Sequence, residues 1–513
     1  MNSKTWTRII ALALFAALTI PVQLAAQDKA KPDHHQYHHY QLIDPGTLGG
    51  PDSYISSSPA ENMINPRGAF EFYAVTSVPD PFAPNCFNPD CFVSHAVVWQ
   101  RGVLTDLGTL PGGYSSYASS INARGEVVGA AENGQIDPLT AYPEDIAVLW
   151  KNGIVNLGTL GGNQSVANGI NDRGQVAGAA LNAVPDPFAN IPMPSCNGGQ
   201  TFSQCFLFVP AATQSHAFRW TEAGGMQDLG ALGGPDSSAS FVNRRGQIAG
   251  EFFTSFTPNS STGVPTLDPF FWENGKMVDI GTLGGTVGAP SWMNNRGQVV
   301  GYSRVAGDQY AHPFLWDKEA GLKDLGLLPG GMFGNADSIN DSGEIVGGSD
   351  ATGFFHAALW KAGAIVDLGT VADETCSEAL SINSQGQIVG FASADCYNED
   401  HAGLSENGGP LVDLQTLVLP GSGVTLTNAL FINDQGEIAA RGVLSNGDQR
   451  AVLLIPCDDD HPGVEGCDYS LVDAAAATPS PAHRYVLRGT QGPSLSRSSH
   501  RFHTPGLGTS PRD

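Results

Sequence analysis

The chain has 513 residues, of which 50 are acidic and 25 are basic, so its formal net charge at pH 7 is −25. Such an acidic surface repels phosphate backbones and anionic lipid, and this excludes nucleic acid and anionic membranes as expected partners. With 41% hydrophobic residues, the chain can bury a large core.

The first 26 residues have the features of a secretory signal peptide. Lys4 and Arg8 supply a positive start, Ile9 to Ile20 form an apolar core of 12 residues, and Ala25-Ala26 offers small residues for cleavage. An apolar core of this length is too short for a comfortable membrane span. We therefore expect a secreted, extracellular or periplasmic protein with no membrane span after signal removal. An uncleaved anchor is the alternative.

Residues 27–38 form a His-rich leader. Its histidines allow two interpretations, a metal site or a polar leader that runs into the first strand. The second is favoured, because neighbouring histidines on a flexible leader lack the fixed geometry that selective metal binding requires. The histidines in and beside the leader are His34, His35, His38 and His39.

One sequence repeat organises residues 39–455. Its clearest copy runs from His312 to Gly347, and it predicts four short strands with the sequences HPFLW, LKDLG, ADSIN and EIVGGS. The segment Asn-Asp-Ser-Gly before the fourth strand is a reverse turn, in which Gly343 takes a positive φ. Four such strands cannot bury both of their faces alone, so the copies must stack on one another.

The repeat occurs eight times in register. Each copy has an Asn in the turn and a Gly three residues later. The turn asparagines are Asn65, Asn122, Asn171, Asn243, Asn294, Asn340, Asn383 and Asn433. Most copies of the first strand end in Trp, and this regularity predicts a core between neighbouring repeats. These residues are Trp99, Trp150, Trp220, Trp272, Trp316 and Trp360.

The repeats resemble the HAF-repeat family of extracellular proteins, named after a His-Ala-Phe triplet that His216-Ala217-Phe218 matches. The resemblance covers roughly residues 40–455 and implies an extracellular location, without a defined activity. Four antiparallel strands in each of eight copies predict an all-β fold, a β-propeller of about eight four-stranded blades. Seven blades and a β-solenoid are the alternatives.

The two ends of the repeat region complement one another. Tyr40 to Asp44 match the second strand of the repeat and have no first strand before them, whereas residues 450–455 are a surplus first strand. Because folded proteins avoid unpaired sheet edges, we expect these two segments to pair antiparallel and close the ring. The repeat alignment then brings Arg450 close to Asp44.

Strand alternation places the GTLGG-like loops and the links between repeats on one face. Only the links of the N-terminal half are long, notably Ser77 to Ser94 and Leu181 to Ser215. Loops displayed on a rigid scaffold are common binding sites. The phenylalanines of the long links either pack on one another or form a ligand-binding lip, and they are Phe82, Phe87, Phe92, Phe188, Phe202, Phe206 and Phe208.

A His at the start of the first strand recurs with an Asp near the end of the second. Hairpin pairing brings these two positions together. Because a catalytic pair normally occurs once, five copies predict a structural hydrogen bond. The pairs are His95 with Asp106, His216 with Asp228, His312 with Asp324, His356 with Asp367, and His401 with Asp413.

The eight cysteines support export. They pair by proximity, and no CxxC spacing points to zinc or to redox catalysis, so we expect four structural disulfides. The predicted pairs are Cys86 with Cys91, Cys196 with Cys205, Cys376 with Cys396, and Cys457 with Cys467.

The C-terminal region divides in two. Residues 456–473 form an acidic disulfide loop whose spacing does not match an EF-hand. No cofactor is therefore expected, and Ca²⁺ bound by this loop is the open alternative. Residues 474–513 are rich in Pro, Ser, Arg and Gly and are expected to be a disordered tail. The candidate calcium ligands are Asp458, Asp459, Asp460 and Glu465.

These features predict a secreted, non-enzymatic and monomeric scaffold that binds an extracellular protein or polysaccharide through disulfide-stapled loops on one propeller face. The alternatives are a structural component of the cell envelope and a polysaccharide hydrolase or lyase. An enzyme would need a unique cluster of carboxylates, His or Tyr. The sequence joins no two of the nonrepeating acidic candidates, which are Asp80, Asp137, Glu144, Asp145, Asp186 and Glu251.

Overall fold

A computed structural model describes most of the repeat region. The described residues are 37–56, 62–83, 86, 91–193, 200–207, 209–351, 353–371, 374–396, 399–406, 408–419, 421–458, 460–461 and the backbone of 483–486. The signal peptide and residues 27–36 of the leader lie outside them, so their assignments stay predictions.

Strands β1 to β32 of the described residues form eight antiparallel four-stranded sheets, called blades 1 to 8 here. Blades 1 and 2 contain β2 Gly49–Tyr54, β3 Phe70–Pro79, β4 Phe92–Gln100, β5 Val103–Asp106, β6 Ser116–Ile121, β7 Val127–Ile136, β8 Pro143–Trp150 and β9 Ile154–Gly158. Blades 3 and 4 contain β10 Gly161–Ile170, β11 Val176–Pro185, β12 Thr213–Thr221, β13 Gly225–Gly230, β14 Ser237–Val242, β15 Ile248–Phe253, β16 Leu267–Glu273 and β17 Lys276–Asp279.

Blades 5 to 8 complete the ring. Blades 5 and 6 contain β18 Gly284–Met293, β19 Val299–Val305, β20 Ala311–Asp317, β21 Gly321–Asp324, β22 Gly334–Ile339, β23 Ile345–Ala351, β24 Phe354–Lys361 and β25 Ala364–Gly369. Blades 7 and 8 contain β26 Cys376–Ile382, β27 Ile388–Ser393, β28 His401–Ser405, β29 Val412–Asp413, β30 Val424–Ile432, β31 Ile438–Leu444, β32 Gln449–Pro456 and β1 Tyr40–Ile43. One parallel bridge, from Leu267 to Val287, joins blades 4 and 5 in the hydrogen-bond network.

Each blade combines two successive copies of the repeat. The strands of blades 1 to 7 pair in chain order, and from blade 2 to blade 8 the first strands lie side by side around the ring axis. This innermost strand is the ADSIN-type strand, which was the third strand of the predicted unit. The copy from His312 to Gly347 therefore spans blades 5 and 6 instead of forming one blade.

Strand β1 closes the ring, as the sequence predicts. It pairs antiparallel with β32, from Tyr40 opposite Pro456 to Ile43 opposite Leu453. Blade 8 therefore takes three strands from the C-terminal end of the repeat region and one from its N-terminal end. The predicted propeller of about eight four-stranded blades is confirmed, together with its closure.

The core lies between neighbouring blades, because each sheet covers an apolar face of the next. Trp99 of blade 1 belongs to the same buried cluster as Leu453 of blade 8, and Trp220 of blade 3 belongs to a cluster with Leu149 of blade 2. The interpretation of the recurring tryptophans as core residues is confirmed for these two.

The turn asparagines join the blades to one another. The side-chain Nδ2 of Asn294 donates to the backbone oxygen of Asn340 in the next blade at 3.1 Å, and its Oδ1 accepts from the backbone N–H groups of Arg296 and Gln298. Equivalent bonds of 2.9–3.2 Å run between all successive turn asparagines from Asn65 to Asn433. The Gly of every such turn has a positive φ, as predicted.

Two short helices and one additional strand complete the described structure. Helix α1 is Phe202–Phe206, and a 3₁₀ helix spans Leu414–Leu417. Residues His483–Val486 form β33, which pairs antiparallel with β25 of blade 6. The expectation of a disordered tail does not hold for these four residues, because their backbone extends a sheet edge. Within the described residues, no helix is long and apolar enough to span a bilayer.

Candidate functional site

Long hairpins elaborate one face of the ring. In each blade the connection between the second and third strands lies on the same face as the loop that leads to the next blade. These hairpin connections are long in blades 1, 3 and 4, at residues 80–91, 186–212 and 254–266, and short in blades 5 to 8. We call this side the insertion face. Its predicted restriction to the N-terminal half is therefore seen in the structure.

The second strands of blades 1 to 3 project beyond the ring and end in similar turns. Strands β3, β7 and β11 each have 10 residues. Their turns begin with Asp80, Asp137 and Asp186, and each Oδ1 accepts from the backbone N–H group two residues later. Since the same bond recurs three times, these three candidate acids have a structural role as turn caps.

The insertion at residues 186–212 packs across several blades. On one side its Leu207 and Val209 lie in a buried cluster with Tyr73 of blade 1 and Tyr117 of blade 2. On the other side Phe202 packs with residues of blade 4, including Phe253, whose ring centroid is 5.1 Å away. The insertion thus covers the inner part of the ring over blades 1 to 5.

The phenylalanines of the proposed lip are mostly internal to the insertions. Phe188 and Phe202 are 5% and 2% exposed, and both contact the ring of Phe253. Phe206 is partly buried against Phe202, with a centroid distance of 4.6 Å. Phe188 and Phe202 therefore follow the packing alternative, because neither offers a ring face to a ligand.

The remaining lip candidates are less enclosed. Phe82 is partly buried, and its ring meets the edge of Tyr114 at 5.5 Å. Phe92 begins β4 and is also partly buried. Phe87 and Phe208 lie outside the described residues.

Two of the predicted disulfides are present in the described residues, Cys86–Cys91 and Cys376–Cys396. Cys205 and Cys457 are also disulfide-bonded. Their predicted partners, Cys196 and Cys467, lie outside the described residues. The first bridge closes the blade 1 insertion, and the second ties the insertion-face loops that precede β26 and follow β27.

Recurring His–Asp contacts hold the third and fourth strands of several blades together. The described pairs of blades 1, 3, 5 and 6 lie at 2.8–3.0 Å from Nδ1 to the carboxylate, which confirms the predicted hydrogen bond. In blade 7 the distance from His401 Nδ1 to the Asp413 carboxylate is 3.6 Å, which is too long for a hydrogen bond, so the predicted hydrogen bond is wrong there.

Blade 4 has Asp268 at the position of the recurring His. Burial, followed by the charge of Asp279, raises the pKa of Asp268 to about 7. A carboxyl proton therefore takes the place of the imidazole. Such variation along a repeated contact supports its structural role.

Three acids meet where blades 1 and 2 join at the insertion face. Glu132 accepts from the backbone N–H groups of Tyr114 and Ser115 at 3.0 Å, so it supports the loop before β6. Burial, followed by the charges of Glu132 and Asp80, raises the pKa of Asp145 well above its usual range. The structure thus places Asp80 and Asp145 close together, which the sequence did not predict.

The other acidic candidates lie apart from that group. Asp186 faces Asp236, and burial, followed by the charge of Asp186, raises the pKa of Asp236 well above its usual range. Glu144 accepts from Asn133 Nδ2 at 2.9 Å. Burial raises the pKa of Glu251 to about 8. Among the described residues, no set of three or more His, Cys, Asp or Glu side chains is arranged to hold a metal ion.

A polar cluster lies on the innermost strands of blades 6 and 7, beyond the cover of the large insertion. Asn335 Nδ2 donates to Asp337 at 2.6 Å and to Glu378 at 2.7 Å, across the junction of the two blades. Burial, followed by the charge of Glu378, raises the pKa of Asp337 well above its usual range. Burial also raises the pKa of Glu378, so the protonated form of both carboxyl groups is favoured relative to exposed ones.

Blade 8 extends this cluster. Arg441 on β31 forms an ion pair with Glu399 at 3.1 Å, and Glu399 belongs to the insertion-face connection of blade 7. Asn428, opposite Arg441 on β30, is 0% exposed. Neither its Nδ2 nor its Oδ1 has a hydrogen-bond partner among the described residues. An unpaired buried polar group costs about 1–3 kcal/mol.

Sequence reasoning missed this cluster, although a signal was available. Asn335, Glu378 and Asn428 each stand five residues before the turn Asn of their own copy. Aligning the innermost strands at this position shows Tyr117, Val166, Ser238 and Ala289 in blades 2 to 5, followed by this polar run in blades 6 to 8. The change to amide and carboxylate side chains at one level of the ring marks the site.

The strand pairing and ring closure define the protein as a β-propeller. No protein-family model and no curated protein matches the chain. Its structure is similar to the β-propeller domain of the Trilobed protease from Pyrococcus furiosus, with a TM-score of 0.36, 8% identity, and coverage of 74% of this chain and 96% of that chain. It is also similar to Pyrococcus horikoshii acylaminoacyl peptidase, with a TM-score of 0.36, 9% identity, and coverage of 73% and 55%.

Proposed function

We propose that the protein is a secreted, non-enzymatic HAF-repeat propeller that binds an extracellular protein or polysaccharide at its insertion face. The carrying observation is the distribution of exposed apolar side chains. Among the described residues, all of the large exposed ones except Val103 and Val155 lie on this face. They are Val78, Tyr114, Ile136, Leu139, Val184, Leu232, Phe256 and Phe354.

Apolar side chains gathered on one face support binding, because exposed apolar groups on a soluble protein are otherwise scattered. Leu139 and Phe256 are 77% and 56% exposed at the ends of the blade 2 and blade 4 hairpins. Apolar side chains of this kind at the hairpin tips favour a protein partner. The acidic chain favours a partner whose contact surface is neutral or basic.

A polysaccharide hydrolase or lyase is the second candidate function. The neighbouring carboxyl groups of Asp337 and Glu378 favour it, because carboxyl groups are the usual general acids and bases of such enzymes, although a hydrogen-bonded pair is closer together than the two flanking carboxyl groups of a typical glycosidase. Release of reducing ends from a bound glycan, abolished by Asp337→Asn, would establish this function in place of the first.

A pull-down from the native secreted fraction tests the leading proposal. Val184→Ser on the insertion face is compared with Val103→Ser on the outermost strand of blade 1, since the two valines are 51% and 62% exposed. We expect Val184→Ser to weaken retention of the partner several-fold and Val103→Ser to leave it unchanged. Equal retention by both variants would remove the insertion face as the binding surface.

A further inference from the structure

The starting point is Asn428, whose side chain is fully buried without a partner among the described residues. Buried amides in folded proteins are almost always hydrogen-bonded, and one left unpaired needs a compensating group. Both its donor and its acceptor are unused, so the compensating group must accept one hydrogen bond and donate another. A hydroxyl group does both.

The register of the innermost strands shows which residues stand at the level of this amide. Asn428, Glu378 and Asn335 occupy the same level of three neighbouring blades. The bond from Asn335 to Glu378 shows that side chains at this level reach from one blade to the next. This bond holds Glu378 from the side of blade 6, and the innermost strand of blade 8, which carries Asn428, is its neighbour on the other side.

Arg441 lies opposite Asn428 on the neighbouring strand and, through Glu399, connects this position to the insertion face. Arg441 is the cross-strand neighbour of Asn428, and such neighbours have Cβ atoms about 4.5–5.5 Å apart. The Arg441 and Glu399 side chains are 20% and 21% exposed, so the cluster reaches solvent through them. The short hairpins of blades 5 to 8 leave this part of the face uncovered.

The charges of the cluster restrict the class of ligand. The Arg441 and Glu399 charges offset one another, and the other titratable groups of the cluster, Asp337 and Glu378, are both acids, so no cationic group is left unpaired. This disfavours anionic ligands. Phe391, the cross-strand neighbour of Glu378, is partly exposed and supplies an apolar wall. Hydrogen-bonding groups of both kinds beside an aromatic ring suit a neutral sugar.

We propose that Asn428, Glu378 and Arg441 form a subsite for a neutral sugar unit on the insertion face, between blades 7 and 8. The sugar hydroxyls hydrogen-bond both polar atoms of the Asn428 amide and the carboxylate of Glu378, and the sugar ring lies against Phe391. This subsite deepens the proposed function and rests on it, because it names a ligand class for part of the same face.

An array of immobilised neutral, acidic and amino-sugar oligosaccharides, probed with labelled mature protein, tests the subsite. We expect binding to neutral glycans, a loss of at least tenfold for Asn428→Leu and for Glu378→Gln, and no change for Ser238→Ala. Ser238 is the matched control because it stands at the same level in blade 4. Melting temperatures are recorded for every variant, and Asn428→Leu is expected to melt no lower than wild type.

The outcomes separate this inference from the proposed function. Undiminished binding by folded Asn428→Leu, binding to acidic glycans only, or no glycan binding by wild type would overturn the subsite. If Asn428→Leu melts lower and Glu378→Gln still binds, Asn428 holds an internal water and the subsite is likewise overturned. In each case, partner retention that depends on Val184 would leave the proposed function standing.

Discussion

The Nε of Arg450 lies 3.4 Å from Oδ2 of Asp44, and this contact joins the last strand of the ring to the first. It occupies the position of the His–Asp contacts in other blades, as the repeat alignment predicts. The same position is filled by an imidazole and a carboxylate in blade 1 and by two carboxyl groups in blade 4. Three different types of side-chain contact therefore hold the third and fourth strands together at the equivalent position of different blades.

A chain that ends at Gln449 should lose much of its stability. The truncation removes Val452, Leu453 and Leu454 of β32, each 0% exposed, and leaves both β1 and β31 without their shared partner strand. At about 1.5–3 kcal/mol for each buried side chain, the loss is on the order of 5 kcal/mol. Calorimetric melting measures it, and a chain ending at Val486, which keeps every described strand, is the control. Equal melting temperatures for the two chains would show that β32 does not hold the ring closed.

Asn294 should contribute more to the stability of the protein than an ordinary surface residue. Asn294→Ala removes one bond to the next blade and three bonds within its turn, and we expect a cost on the order of 2 kcal/mol in denaturant unfolding. Asn294→Asp keeps the acceptor and loses the donor, so it should cost less. If Asn294→Asp costs as much as Asn294→Ala, the two bonds donated by Nδ2, to Asn340 and to Gln298, carry the whole effect.

The sequence predicts the ring because the repeat pattern shows both the hairpins and the strands that are left unpaired at its two ends. Eight aligned turns predict the hairpins, and the unmatched strands at the two ends predict the closure from Tyr40 to Pro456. The sequence does not predict where one blade ends and the next begins. Two consecutive strands look the same in the chain whether they belong to one blade or to two successive blades. The path of residues 186–212 is also unpredictable, since an insertion lies outside the repeat pattern and packs where the finished ring offers apolar surface.

His95 should stabilise blade 1 most strongly in mildly acidic solution. Its Nδ1 and Nε2 lie 3.0 Å from Asp106 and from the backbone oxygen of Tyr114, so both nitrogens face acceptors. The hydrogen bond to Asp106 raises the pKa of His95 above 6.5. Burial alone would raise the pKa of Asp106, but the bonds from His95 and the Gly108 N–H group lower it below 3.8.

The sign of both shifts sets the pH window. A raised His pKa gives stability that is present below pH 6.5 and lost as the pH rises through the folded pKa. A lowered Asp pKa gives stability that is lost as the pH falls through its folded value. We expect a double-mutant cycle of His95→Ala and Asp106→Ala to give about 1 kcal/mol near pH 5 and less near pH 9. Coupling that grows with pH would contradict this assignment.

His312→Ala tests whether the recurring contact is structural. Its Nδ1 lies 2.8 Å from Asp324, so the substitution should cost about 1 kcal/mol in unfolding and leave partner retention and glycan binding unchanged. Loss of binding by a variant that is as stable as wild type would show that this contact belongs to a binding site.

The candidate site is less visible in the sequence than the ring. Asn335, Glu378 and Asn428 come from three copies, and each looks like ordinary variation within its own copy. They become neighbours only because the innermost strands stand side by side at one level. The sequence also does not show which side chains of the long hairpins are exposed. Phe202 is buried and Phe256 is open to solvent, although both lie in such hairpins.

Glu71 should make the propeller less stable as the pH rises. Its strand position holds Val or Ala in every other blade, and the residues there are Val128, Ala177, Ala249, Val300, Val346, Val389 and Ala439. Glu71 is 1% exposed, its Oε2 has no partner among the described residues, and burial raises its pKa from 4.5 to about 8.

The folded state therefore holds a proton that the unfolded state releases. Stability should fall between about pH 4.5 and pH 8, and at pH 7 the loss is on the order of 3 kcal/mol. Glu71→Val should raise the free energy of unfolding at pH 7 by a similar amount and flatten its pH dependence. Glu319→Gln, at an exposed turn, is the control and should change neither quantity. A Glu71→Val variant that unfolds more easily than wild type at pH 7 would show that the carboxylate has an ionic partner in the folded protein.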